Sequence, residues 1–170
     1  DVDHKGRVWV CESVNYRTQL RKQPLNRAEG DRLVVLEDSD GDGKADKATT
    51  FYQDPKFLAP LGVCVAPYPD GKGQKIYVCH SPHIYVFEDK NDDLVADGPP
   101  EILLTGFKGY DHDHGVPGIH FGPDGRLYFS VGDQGVDGLK DRNGKVWKSN
   151  NEDCRAGTIW RCDADGKNLE

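Results

Sequence analysis

Methionine is absent from this sequence. No natural start residue is present, so the chain is expected to be an internal piece of a longer protein whose targeting segment cannot be read. No apolar run approaches the roughly 18 residues of a membrane span, and no membrane contact is expected from this segment. Basic charge is also short. The 22 Lys and Arg against 29 Asp and Glu leave a net charge of −7, which argues against nucleic acid or an anionic membrane as main partner. Cysteine is sparse: Cys11, Cys64, Cys79, Cys154 and Cys162 show no CxxC or CxxCH spacing. That excludes a zinc ribbon or a covalent c-type haem within this piece. Cys64 and Cys79 are expected across a hairpin centred near Asp70-Gly71, as a disulfide or as two small buried thiols.

What is present favours an all-β fold. The 170 residues suit one domain, and 20 Gly and 10 Pro punctuate the chain with turns. A repeat then emerges. The run Leu33-Val34-Val35-Leu36-Glu37-Asp38 matches Ile84-Tyr85-Val86-Phe87-Glu88-Asp89, 51 residues later. Tyr77 and Tyr128, on strands that follow small turns, have the same spacing. A period near 50 with about four short strands per unit is the pattern of a β-propeller. The complete unit is predicted at about 62–66, 75–79, 84–88 and 101–105. The unit before it keeps 7–11, 32–37 and 48–52, without a first strand. The unit after it keeps 118–121, 126–131 and 157–162. Residues 1–170 thus read as part of one propeller domain, a little under three four-stranded antiparallel blades, forming an arc.

This layout assigns loops to rims. The connection carrying His114 is expected to share a rim with residues 12–31, with His80-Ser81-Pro82-His83 and with the long segment 132–156. Long insertions beside a His/Asp cluster point to a site there, although loops also tolerate insertion freely. Asp111-His112-Asp113-His114 precedes a hairpin, 118–133, turned by Gly122-Pro123-Asp124-Gly125. Such a loop either mounts catalytic groups on a rigid strand or is a solvated polar loop. The acidic loops 38–46 and 89–97 fall on the opposite rim. In the first, Asp38, Asp40, Asp42 and Asp46 with Gly43 give a calcium-loop spacing. Thr49 stands where a bidentate Glu closes an EF-hand, so the alternatives are a smaller calcium loop or a solvated turn. In the second copy Asn91 and Leu94 replace Asp40 and Gly43, and a structural role is expected.

The run His114-Gly115-Val116-Pro117-Gly118-Ile119-His120-Phe121-Gly122-Pro123-Asp124-Gly125-Arg126-Leu127-Tyr128, followed by Val131-Gly132-Asp133-Gln134-Gly135, resembles the soluble quinoprotein sugar dehydrogenases of the glucose/sorbosone dehydrogenase family. The resemblance covers nearly the whole chain. It is closer still to a subgroup described as membrane-bound dehydrogenases, whose propeller precedes a cytochrome-c-like CxxCH segment. The family implies a six-bladed propeller, pyrroloquinoline quinone, calcium at the cofactor site and a periplasmic or envelope location. It implies His114 as the catalytic base, with Asp113 before it, taking the hydroxyl proton of a sugar or polyol while hydride moves to the quinone. Electrons would pass to a cytochrome c-like acceptor. His120 lies within a strand and is set aside. The other reading is a propeller without chemistry that binds glycans or proteins in an envelope-associated multidomain protein.

Overall fold

The computed structural model describes residues 1–149 and 154–170. Its strands are β1 (Val8–Glu12), β2 (Arg32–Glu37), β3 (Lys47–Gln53), β4 (Gly62–Pro67), β5 (Gln74–His80), β6 (His83–Asp89), β7 (Glu101–Thr105), β8 (Gly118–Phe121), β9 (Leu127–Val131), β10 (Asp137–Lys140), β11 (Val146–Lys148) and β12 (Thr158–Cys162). No helix occurs among the described residues. Three sheets follow in the orders β1-β2-β3, β4-β5-β6-β7 and β8-β9-β12, each with antiparallel neighbours. β4, the first strand of the complete sheet, touches β8 of the next sheet and β1 of the one before. The fold is all-β, a partial propeller of consecutive blades.

The central blade shows why the sequence folds this way. Side chains alternate across a strand, and a sheet covered on both faces needs apolar residues at successive positions. β5 meets that requirement: Ile76, Tyr77, Val78 and Cys79 are all buried. Ile76 and Val78 join Trp9, Leu33, Val35, Phe51 and Phe87 in the core shared with the first blade. Tyr77 and Cys79 join Ile119, Leu127, Phe129 and Trp160 in the core shared with the third. Trp9–Phe51 and Phe51–Phe87 pack edge to face, with centroids 4.9 and 5.9 Å apart. Each buried large side chain contributes roughly 1.5–3 kcal/mol, so the blade interfaces dominate stability.

A polar network also crosses the first interface. Buried Asp3 accepts from Trp9 Nε1 at 3.0 Å and from Arg7 Nε at 2.6 Å. Arg7 reaches on to Asp92 at 2.6 Å, and Lys5 pairs with the same carboxylate. Burial raises the proton affinity of Asp3, but the Trp9 and Arg7 bonds together outweigh it and leave the carboxyl below its ordinary value.

The 51-residue repeat extends to backbone conformation. Gly41 and Gly43 have φ of 78° and 87°, and their counterparts Asp92 and Leu94 have 58° and 65°. Asp46 N and Asp97 N donate to Glu37 O and Glu88 O in the two copies. Leu94 keeps a left-handed conformation that costs a branched side chain about 1 kcal/mol or more, and it is buried in the core shared with the first blade. In the second copy a buried side chain thus fills the position of Gly43.

Three details differ from the sequence expectations. The first blade has not lost its first-strand position entirely, because Val2 bridges Val8 and Asp1 exchanges backbone bonds with Trp9. Cys64 lies opposite Tyr77 and Cys79 opposite Gly62, so the two do not face each other, and both are buried free thiols, the second of the two alternatives. The segment 132–156 is not only loop: β10 and β11 form a hairpin in it. That hairpin is tied to the end of the central blade by the Phe107–Val136 bridge and the Asp137 N to Gly106 O bond of 2.8 Å. Residues 150–153 of that segment lie outside the described residues.

Candidate active site

Two backbone strands deliver the rim cluster. Gly132 N donates to Gly115 O at 2.6 Å and Gln134 N to His114 O at 3.2 Å. The chain leaving β9 therefore runs against the loop that enters β8. The approach is too close for a side chain: a Cβ on Gly132 would stand 2.5 Å from His114 O, and one on Gly115 would stand 2.5 Å from Lys108 O. Ser81 Oγ accepts from Val116 N at 3.3 Å, tying the same loop to the β5–β6 turn. From the other side comes the segment 12–31. Arg17 N donates to Asp111 O, and the Asp111 carboxylate accepts from Gln19 N and Leu20 N at 2.8 and 3.2 Å. Arg17 and Asp111 both hold positive φ, 60° and 57°, a local strain of the kind that clusters at functional rims. The segments expected on one rim, 12–31, 80–83, 111–115 and the start of 132–156, do meet there.

Within this frame His114 Nδ1 contacts Asp133 Oδ1 at 2.5 Å. A carboxylate can only accept, so Nδ1 carries a proton, and in the neutral ring Nε2 presents the lone pair. Both side chains are solvent-facing, His114 at 44% and Asp133 at 68% exposure. Asp113, adjacent in sequence, is engaged elsewhere: Tyr16 Oη donates to its Oδ1 at 2.5 Å and Arg17 at 2.9 Å. Those two bonds, Tyr16 first, hold the Asp113 carboxyl at about 2, below the usual carboxylate range. His114 Nε2 remains 3.9 Å from Asp113 Oδ1. The carboxylate that orients the ring is thus Asp133, and Asp113 borders the open nitrogen. His112 is buried, its Nδ1 accepts from His114 N at 3.1 Å, and the two rings meet edge to face with centroids 5.1 Å apart. His120 is exposed on the opposite side of β8 from buried Ile119, so alternation separates it from the cluster as expected.

Reading the sequence without its register misses Asp133. The signal was present: β8 and β9 pair Gly118 with Ser130. Three residues back on one strand and three on along the other places Gly115, next to His114, beside Asp133. Tyr16 and Arg17 carry no spacing signal at all, because strained loop geometry brings them in.

On the opposite rim the Asp-rich loop 38–46 partly converges. Ligand atoms of Asp38, Asp40 and Asp42 lie within 4.8 Å of one another. Asp46 is turned to Ser39, accepting from its N and Oγ at 3.0 and 2.6 Å. Asp38 accepts from Gly43 N at 2.8 Å and Gly41 N at 2.7 Å. The amide bonds, Gly43 first, lower its proton affinity. The loop is an oxygen-rich turn that its own backbone already satisfies in part. A cleft of about 370 Å³ opens beyond it, between the second and third blades, lined by Pro67, Tyr68, Lys75, Tyr77, Phe121 and Asp165.

Fold and rim together define an all-β, partial-propeller protein with a solvent-facing histidine–aspartate pair. Residues 1–166 match the model of DUF7133, a domain of unknown function, and the chain belongs to that family. No curated protein and no solved structure matches it. No helix among the described residues is long and apolar enough to cross a membrane.

Proposed function

We propose that this chain forms part of a quinone-dependent sugar or polyol dehydrogenase, with His114 as the general base. The observation that carries the reading is the His114–Asp133 contact. It sets the tautomer of the neutral ring, in which Nε2 carries the lone pair beside Asp113 on a solvent-facing rim. A substrate hydroxyl delivers its proton to Nε2, and the adjacent Asp133 carboxylate stabilises the imidazolium that forms. Asp113, kept ionised by Tyr16 and Arg17, accepts a neighbouring substrate hydroxyl and orients the reacting carbon. Pyrroloquinoline quinone, when bound, supplies the hydride acceptor, and a cytochrome c-like protein takes the electrons onward.

Among the rim residues, Arg17 fits a group of that chemistry. Its Nε is a buried donor with no partner among the described residues, and the quinone bears carboxylates. A calcium ion at the Asp38, Asp40 and Asp42 carboxylates would be a second, structural one on the opposite rim, distinct from the calcium of the cofactor site. An envelope or periplasmic location accords with the proposed electron acceptor. A screen of sugars and polyols with a redox dye, on protein supplied with the quinone and calcium, tests the reading. Quinone-dependent dye reduction is the expected result.

The second reading, a non-catalytic module for glycans or proteins, draws on the cleft between the second and third blades. Its Tyr68 and Phe121 rings beside Lys75 and Asp165 offer stacking and polar contacts in one place. Glycan binding that survives loss of His114, with no turnover of any sugar, would favour it.

A further inference from the structure

We propose that His112, Asp113 and His114 form a binding site for a divalent transition-metal ion, of which Zn²⁺ and Co²⁺ are the probes. A ring nitrogen from each histidine and a carboxylate oxygen of Asp113 lie within 4.8 Å of one another. Two ligands on one tetrahedral zinc ion, each at about 2.0–2.2 Å, stand roughly 3.3–3.6 Å apart. His114 Nε2 and Asp113 Oδ1, at 3.9 Å, stand a few tenths of an ångström outside that range. Small rotations about the side-chain torsions bring the three donors together on an ion.

The donor set and its surroundings both favour such an ion. Two imidazoles and one carboxylate, with the remaining position open to solvent, are the ligands of a three-protein-ligand zinc site. Imidazole selects zinc, cobalt, nickel or copper over calcium and magnesium. The outer contacts are in place as well. Metal-bound histidines generally donate their second ring N–H to a carboxylate, and His114 Nδ1 does so to Asp133 at 2.5 Å. Asp113 is anchored through Oδ1 by Tyr16 and Arg17, and its carboxylate keeps further acceptor capacity for the ion. His112 Nδ1 accepts the His114 peptide N–H, at 3.1 Å, a neutral bond that ligation would exchange. The all-oxygen cluster at Asp38, Asp40 and Asp42 has none of these nitrogen donors.

The site is independent of any quinone. An ion at His114 Nε2 occupies the lone pair that a base there would use, so the ion would act as a competitor of proton abstraction. Calorimetry of the untagged chain with Zn²⁺, without quinone, is the test, alongside visible absorption and proton NMR with Co²⁺. One saturable ion per chain is expected, with paramagnetically shifted imidazole signals from His112 and His114. His112→Ala and His114→Ala should abolish saturable binding. Asp133→Asn should weaken it about 10–100-fold, and His83→Ala and His120→Ala should leave it unchanged. The NMR signals of the unmodified protein decide the matter even if a variant fails to fold. The proposal is overturned by the absence of saturable binding, by shifted signals from His4, His83 or His120 instead, or by a folded His114→Ala that binds Zn²⁺ as the parent does.

Discussion

Acid should destabilise this fold through a histidine that has no part in the proposed chemistry. His80 is 4% exposed at the end of β5. Its ring stacks on Phe57 at 5.1 Å and 6°, and its Nε2 accepts from Leu58 N at 3.0 Å. Among the described residues its Nδ1 has no partner outside its own residue. Burial lowers its proton affinity from 6.5 to about 4, and His83 nearby adds to the effect. In the unfolded chain the ring binds a proton as pH falls through 6.5, whereas the folded ring resists until about 4. The unfolded state therefore holds more protons in that window, and stability declines as pH drops across it. At about 1.4 kcal/mol per pH unit of separation, the loss is about 3 kcal/mol, complete near pH 4. His80→Gln keeps an acceptor for Leu58 N but cannot titrate. Urea unfolding of parent and variant at intervals between pH 7.5 and 4 separates this contribution from the carboxylates, which act on both. The gap between the two curves should change by about 3 kcal/mol over that range. Parallel curves would refute the reasoning.

Other outcomes follow from the same structure. Asp3→Ala leaves the Trp9 N–H and Arg7 Nε without their acceptor in a buried setting while Arg7 keeps Asp92, and should cost about 1–3 kcal/mol of unfolding free energy in chemical denaturation. Gly132→Ala, which would drive a methyl against the His114 carbonyl, should change the His114 resonances in NMR while the signals of the first blade stay in place. If calcium occupies the acidic loop, the ion should raise the melting temperature, and Asp40→Ala with Asp42→Ala should remove that rise in differential scanning fluorimetry. Ile159, 72% exposed on the outer face of the third blade, should promote self-association. Ile159→Lys is expected to lower the apparent mass of the chain in analytical ultracentrifugation.

The blades were legible because their strands obey two periods at once. Alternation within a strand marks faces, and the 51-residue spacing marks successive blades. All three sheets fall where those periods place them, within about one residue at most ends. The β10–β11 hairpin was not legible. Its strands, Asp137–Lys140 and Val146–Lys148, offer few apolar alternations and bury mainly Leu139. At the rim the histidine was legible from its motif, and the gathering of loops from blade topology. The division of labour between Asp113 and Asp133 was not. Sequence adjacency suggested Asp113 for His114, whereas strand pairing supplies Asp133 and a left-handed turn at Arg17 draws Asp113 away. Spacing likewise included Asp46 in a four-carboxylate calcium set, but its contacts with Ser39 turn it inward to close the loop.

The central claim is that His114, oriented by Asp133, is the base of a sugar or polyol dehydrogenase. Single-turnover rates of the quinone-loaded protein and its variants, at saturating substrate, test it most directly. His114→Ala should lose about 10²–10⁴ in rate, Asp133→Asn should also lose rate by disturbing the tautomer, and His112→Ala should lose much less than either. Equal losses for His112→Ala and His114→Ala, or no oxidation of any sugar or polyol by the parent, would contradict the account.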